Sequence, residues 1–474
     1  MSITRSIVTN TATRFIAELI NRLGAAVFWI VVARYLGASG LGSLAFALSL
    51  FSLFETIATM GLGSVVARDA ARNPSSTRRS FGQSMLLGLA SSIVCILLMV
   101  GLTALLSPSK ETFFAASIMA VSILPASGFY WSRTVLWSAE KMGYIAIART
   151  AENAFKVAVG LAVLLAGMGL REVVLVLALS KVISFVICFA AAVYQVAAPD
   201  WRIHLATIKY LLNQAPSFSL IAVFNALFWS VSVILLTKLA GEAEAGIFGA
   251  AYKLVDIWLS FAFAYGQALF PIASRASITD PQLFQRLCKK SMKYVSLMTL
   301  AIAAGTSMLA HKLIPVFYGD AMLEAAPVLM ALVWILVPFA IVPVLAYSLV
   351  SHSLQRFDLA ANVVATVIVT GASLFLIPPF GAKGAAIALL LGCVGFFAVE
   401  FFSVERALFR IRISWKYLKP IVGAAIMSCA VFILRDNNFI LATIVGGAIY
   451  LLFLWQTKVI SKSEIHSMAF ENSS

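Results

Sequence analysis

Residues 36–42 read Leu36-Gly37-Ala38-Ser39-Gly40-Leu41-Gly42, and 204 positions further on residues 240–246 read Ala240-Gly241-Glu242-Ala243-Glu244-Ala245-Gly246. Gly37 falls on Gly241 and Gly42 on Gly246. Each stretch is a short break of small residues between two long apolar runs. A weaker match pairs Gly169-Leu170-Arg171 with Gly381-Ala382-Lys383 at an offset of 212. The chain reads as two copies of one unit, and what fills each copy is apolar.

Of the 474 residues, 61% are hydrophobic and 12% charged, too little polar surface to cover a water-soluble fold of this size. A helix needs ~20 mostly apolar residues to cross the hydrocarbon core of a bilayer. Such windows fall near 12–34, 41–66, 80–106, 113–138, 144–167, 172–196, 209–238, 245–273, 291–314, 321–350, 357–377, 384–408, 413–434 and 437–457. The sequence therefore predicts an all-α integral membrane protein of about fourteen transmembrane helices. Its start, Met1-Ser2-Ile3-Thr4-Arg5, runs into a charged span unlike a cleavable signal peptide, so the first span is expected to stay.

Lys and Arg in short loops are retained on the cytoplasmic side. With the N-terminus inside, inner loops and ends hold 22 basic residues and outer loops 7, while 6 of the 35 fall within spans. Arg68, Arg72, Arg78 and Arg79 are one inner cluster; Arg286, Lys289, Lys290 and Lys293 are another. Both termini are expected in the cytoplasm. A repeat of six spans keeps both copies in one orientation, giving two six-helix lobes related by a pseudo-two-fold along the membrane normal. The expected boundaries are 1–197 for the N-terminal lobe, 198–208 for a cytoplasmic linker, 209–408 for the C-terminal lobe and 409–474 for two further helices and a tail. Within the linker, Trp201, Leu205, Ile208 and Leu212 share a face that suits the membrane interface, or else simply extends the seventh helix.

The formal charge of +15 sits in the breaks between spans and not on one water-facing surface, which argues against nucleic acid as a partner. Five scattered cysteines and four isolated histidines offer neither a disulfide framework nor metal-ligand spacing, and no cofactor is implied. Charges inside spans are the informative ones, since each costs ~2.5–3.5 kcal/mol near mid-bilayer unless paired or hydrated. On the first span Arg14, Glu18, Asn21 and Arg22 share one stripe, and on the fifth Arg149, Glu152, Asn153 and Lys156 repeat it. Lys181, Glu55, Lys253 and Asp256 are comparably deep, and Arg133 is near enough to an end to snorkel. Glu400 completes the acidic set. Cations outnumber acids, so the candidate substrate-binding residues are Arg22, Arg133, Arg149, Lys156, Lys181 and Lys253. Glu18, Glu55, Glu152 and Asp256 are the candidate ion-coupling carboxylates. Ion pairing on adjacent turns, Glu18 with Arg22, Glu152 with Lys156 and Lys253 with Asp256, is the structural alternative. Pro125, Pro216, Pro271, Pro338 and Pro343 are expected to kink their spans.

The run from Ala33-Arg34-Tyr35 through the glycine stretch to Ala47, with Gly61-Leu62-Gly63 and Ala67-Arg68-Asp69-Ala70-Ala71-Arg72, resembles the opening of Wzx-type polysaccharide flippases. Glu140-Lys141-Met142-Gly143-Tyr144-Ile145 resembles the same family's entry to the fifth helix. These proteins belong to the multidrug/oligosaccharidyl-lipid/polysaccharide exporter (MOP) superfamily. The resemblance implies a non-enzymatic flippase of the bacterial inner membrane that moves an undecaprenyl-pyrophosphate-linked oligosaccharide to the outer leaflet for O-antigen, capsule or exopolysaccharide assembly. Its implied partners are that lipid-linked glycan, membrane lipid and other polysaccharide-assembly proteins. A lipid II flippase, whose second helix typically carries arginines where this chain has Ser52-Leu53-Phe54-Glu55, is one alternative. A drug or cation antiporter of the same superfamily is another. A membrane glycan polymerase or ligase would call for a large outer loop, and none exceeding about ten residues is expected here.

Overall fold

The computed structural model describes the backbone of residues 3–106, 109–352, 354–410, 418–436, 438–457 and 459, and side chains from Gly24 onward except 74, 216–218, 268, 271 and 418. Glu18 and Arg22, with Arg14 and Asn21, are side chains outside that description, as are those of Pro216 and Pro271. Among the described residues there is no strand. The chain forms α1 (Ile3–Thr59), α2 (Gly63–Arg72), α3 (Thr77–Leu106), α4 (Lys110–Val121), α5 (Ile123–Ser138), α6 (Met142–Leu165), α7 (Leu170–Gln195), α8 (Leu205–Ala240), α9 (Glu242–Thr279) and α10 (Pro281–Tyr318). It continues through α11 (Ala325–Leu332), α12 (Leu336–Phe339), α13 (Val342–Ser351), α14 (Gln355–Ala407), α15 (Leu418–Leu434) and α16 (Phe439–Gln456). Among the described residues ten helical segments are long and apolar enough to cross a bilayer. Two of them, α1 and α14, are each two helices joined at a break. With the charged α6 and the shorter α15, the described residues provide the expected fourteen.

Glycine makes the breaks. Gly37 inside α1 has φ 65° and ψ −172°, and Gly241 between α8 and α9 has φ 95° and ψ 172°. That region of backbone space is essentially closed to residues with a β-carbon. The two aligned glycines thus adopt one conformation in the two copies of the repeat, and the chain turns at both. The weaker match does not extend to backbone: Gly381 has φ 54°, whereas Gly169 is extended at φ −102°.

The chain divides into two compact units, Met1–Gly249 and Ala250–Ser474. In the first unit α3, α5, α6 and α7 pack side by side and α1 runs against α3, α4, α6 and α8. Lipid offers apolar side chains no contrast with the protein interior, so such contacts are held by close packing and polar bonds. At the end of this unit that carries Arg68 and Arg72, the second span stops at Thr59, short of the expected 66. Met60 (φ 51°) and Gly61 (φ 62°) are both left-handed, which breaks the helix before α2 begins. The short α2 buries Val65, Val66 and Ala70 and leaves Arg68 and Arg72 outside. Tyr210 on α8 donates to Asp69 at 2.9 Å and Arg68 bonds the same carboxylate at 3.0 Å, tying α2 to α8.

Residues 196–204 join α7 to α8 and dock on the start of α3. Gln83, fully buried, donates to the Arg202 carbonyl at 2.7 Å and accepts from the His204 amide at 2.9 Å, while the Asp200 amide donates to the Arg78 carbonyl at 3.0 Å. The Asp200 carboxylate accepts from the Arg202 amide and from the His204 ring, both at 3.1 Å, and these bonds hold it below its ordinary range. Trp201, Leu205 and Leu212 are exposed, and Leu205 already belongs to α8.

In the second unit the span expected at 321–350 is a chain of short pieces. Pro343 sits in the first turn of α13, and α11 passes into α12 through a 3-10 turn at Val333–Ile335. The helices α15 and α16 pack on α10 through Leu297, Ala304 and Leu309 against Met427, Val431 and Leu454, with the Tyr450 hydroxyl donating to the Leu297 carbonyl at 3.0 Å.

Candidate functional site

Four helices of the first unit enclose a cavity of about 310 Å³. The second half of α1 contributes Glu55; α5 contributes Ala126, Phe129, Tyr130 and Arg133; α6 contributes Arg149, Glu152, Asn153 and Lys156; α7 contributes Lys181 and Ser184. The helical period explains the α6 set, because positions 149, 152, 153 and 156 recur on one face of a 3.6-residue turn. The α5 set follows the same rule at 126, 129, 130 and 133. Among the described residues four basic and two acidic side chains therefore share one chamber walled by apolar helices.

Their partners are partly charges and partly rings. Lys181 reaches across from α7 to Glu152 on α6, Nζ to Oε1 2.7 Å, with side chains 30% and 16% exposed. Its ammonium also lies 5.8 Å from the centre of the Phe51 ring. Arg133 stands over the Tyr130 ring at 4.8 Å and the exposed Arg149 lies near the Phe129 ring at 6.0 Å, so an aromatic face accompanies each guanidinium group. The Tyr130 hydroxyl in turn accepts the Gly63 amide at 3.0 Å, linking the cavity wall to the turn before α2. Glu55 feels the charges of Lys181, Arg133 and Arg149 and the opposing one of Glu152.

Of the residues singled out in sequence, Arg133, Arg149, Lys156, Lys181, Glu55 and Glu152 are brought together here. Arg133, near enough to an end to snorkel, turns inward instead. Lys253 and Asp256 lie on α9 in the second unit, where they act on each other electrostatically. Arg22 and Glu18 are outside the described side chains. The adjacent-turn scheme did not contain the Glu152–Lys181 bond, which joins two helices. Phe129, Tyr130 and Ser184 were not picked out; the regular spacing of Phe129, Tyr130 and Arg133 along α5 was the available signal.

At the opposite end of the unit, the Ser39, Ser109 and Thr112 hydroxyls converge on the Glu242 carboxylate, joining α1, α4 and α9. In the second unit an apolar cleft of about 440 Å³ runs between α9, α10, α15 and α16, lined by residues such as Leu254, Trp258, Ile302, Leu313 and Met427. Among the described residues no group of three or more His, Cys, Asp or Glu could hold a metal ion.

Among the described residues, ten long apolar helical segments, two of them broken by glycine, make this a multi-pass membrane protein, and its first unit holds a chamber lined with charged side chains. The chain belongs to the polysaccharide biosynthesis protein family, whose model matches residues 7–277. Its fold is similar to that of the lipid II flippase MurJ in an inward closed conformation (TM-score 0.78, 13% identity, covering 92% of this chain and 97% of that one). It is also similar to an inward-facing multidrug resistance MATE family transporter of the MOP superfamily (TM-score 0.71, 14% identity, 82% and 94% covered). A MOP superfamily transporter from Pyrococcus furiosus matches with TM-score 0.57 at 14% identity over 83% of this chain and 93% of that one. No curated protein sequence matches the chain. These likenesses give the two-lobed helical fold.

Proposed function

We propose that the chain is a flippase that carries an undecaprenyl-pyrophosphate-linked oligosaccharide from the cytoplasmic to the outer leaflet of the bacterial inner membrane, for O-antigen, capsule or exopolysaccharide assembly. The observation that supports this most is the gathering of Arg133, Arg149, Lys156 and Lys181 in one intramembrane cavity. Pyrophosphate is the part of such a substrate least able to enter hydrocarbon, and it is common to every sugar sequence. Guanidinium groups grip phosphate oxygens in pairs, while lysine acts as a point charge. The volume lies at the low end of the range of about 300–1,000 Å³ for ligand sites, which suits a headgroup and leaves the sugars and the polyprenyl tail outside it. Membership of a polysaccharide biosynthesis family accords with a glycan cargo.

Transport follows alternating access, with both chain termini in the cytoplasm and the carboxylates Glu55, Glu152 and Asp256 available for ion coupling. No bond of the cargo is made or broken. The cationic chamber disfavours a cationic drug as cargo.

The test is export of lipid-linked glycan in cells lacking the native protein. Arg149→Ala and Lys156→Ala should abolish export at normal membrane abundance, and Arg149→Lys should impair it although charge is kept. Normal export by all three would refute a phosphate role for the cavity. The lipid-linked intermediate that accumulates in the inner leaflet on depletion separates this reading from lipid II transport.

A further inference from the structure

The second unit buries one acidic side chain completely. Glu400, in the latter half of α14, is 0% exposed, and no donor reaches either of its carboxyl oxygens. Gly381 folds α14 back on itself, so that Gly395 meets Ile368 and, nearer the ends, Glu400 comes within hydrogen-bond reach of Asp358 in the first turn. The residues next to them in sequence, Phe357 and Phe401, pack on an apolar core that includes Leu345, Leu349 and Val404.

Two ionised carboxylates are acceptors only and cannot bond to each other. Held together away from water they also repel, and pairs of this kind keep one proton between them. A single proton resolves both difficulties. Glu400 donates it to an Asp358 oxygen, and Asp358 keeps the negative charge, accepting in addition from the Asn362 amide 3.3 Å from its Oδ1.

Among the described residues no charge beyond the pair's own acts on either carboxyl, and Lys289 on α10 lies over the Phe409 ring at 5.3 Å. The packed α11 and α12 carry no ionisable side chain. On α13, Tyr347 stacks against Phe270 at 4.8 Å, and His352 beyond its end bonds the Ser348 carbonyl at 3.0 Å. On α14 itself Arg356 lies over the Phe357 ring at 4.9 Å, and Glu405 and Arg406 are more than a turn beyond Glu400. A metal cation would demand several oxygen ligands, whereas Asn362 turns its N–H toward the pair.

We propose that Asp358 and Glu400 form a proton-binding site in which the two carboxyls share one proton. The site is intact only while the two halves of α14 stay packed. Parting them would wet Glu400 and release the proton, which couples protonation to the conformation of this unit whatever the cavity of the first unit carries.

The full chain in lipid nanodiscs at neutral pH should show an infrared carbonyl band of a protonated acid that moves when glutamate carboxyls alone are isotope-labelled. Glu400→Gln should remove that component. Asp358→Asn, which replaces the anionic acceptor with a neutral one, should shift it. Loss of a carboxylate band in Glu400→Gln with the acid band untouched would overturn the proposal. So would a wild-type melting temperature that rises with sodium or calcium and no longer does so in Asp358→Asn. Should Glu400→Gln fail to accumulate, the labelled wild type and Asp358→Asn decide alone: an absent acid band, or one identical in both, overturns it.

Discussion

Gly42 and Gly246 touch backbone to backbone: a β-carbon on Gly42 would lie 2.8 Å from the Gly246 amide nitrogen, and one on Gly246 would lie 3.0 Å from that of Gly42. Neighbouring carbonyls are closer still, the Glu242 oxygen at the first position and the Ala38 oxygen at the second. The glycines that align in the sequence repeat are therefore the point where α1 and α9 cross, and only residues without a side chain let two membrane helices meet so closely.

Gly42→Ala and Gly246→Ala should each destabilise the protein, by ~1–3 kcal/mol if the backbones shift to accommodate the methyl. Gly101→Ala, whose new methyl meets nothing within 4 Å, should be neutral or slightly stabilising. Thermal unfolding of the purified variants decides this. Equal melting temperatures for Gly42→Ala and Gly101→Ala would refute the close crossing.

Glu152 and Lys181 should behave as a coupled pair. Glu152→Gln and Lys181→Met each leave a half-buried charge without its partner, whereas the double variant removes both, so the cycle should show coupling of ~0.5–3 kcal/mol in stability. Additive effects within error would mean that the 2.7 Å contact contributes nothing.

Asp200 gives the inter-helix linker a defined response to acid. Its carboxylate is held below the ordinary range, first by the Arg202 amide and then by the His204 ring, so it binds fewer protons folded than unfolded. The stabilisation is complete above its unfolded value near pH 4 and is lost as pH falls through the lower folded value. Hydrogen exchange of the Arg202 amide should be faster in Asp200→Asn than in wild type at neutral pH, and the difference should vanish in strong acid. A difference that persists there would contradict this assignment.

Reporter fusions after Lys110, Gly241 and Asp436 should report the outer side of the membrane, and fusions after Arg79 and Lys290 the inner. A consistent inversion would overturn the orientation drawn from the basic residues.

Periodicity made the spans and the α6 stripe legible in the sequence, because the spacing of Arg149, Glu152, Asn153 and Lys156 is a local property of one helix. The break at Met60 was not legible. Its left-handed backbone is held by tertiary bonds such as the Ser219 hydroxyl to the Met60 carbonyl at 2.6 Å, while the local string Met60-Gly61-Leu62-Gly63 still reads as apolar span. The pairing of Lys181 with Glu152 and of Asp358 with Glu400 depends on which helix faces which, and single-helix arithmetic carries no such information. The fold of Gln83 around the linker carbonyls escaped for the same reason.

Among the described residues the cavity sets Arg133, Arg149, Lys156 and Lys181 beside Glu55 and Glu152. On the proposed function, an arriving headgroup brings anionic charge among those cations and takes it away on leaving. Small anions in the medium then compete for the same groups. Export should therefore slow as the medium is enriched in anions that shed their hydration readily and settle beside guanidinium groups.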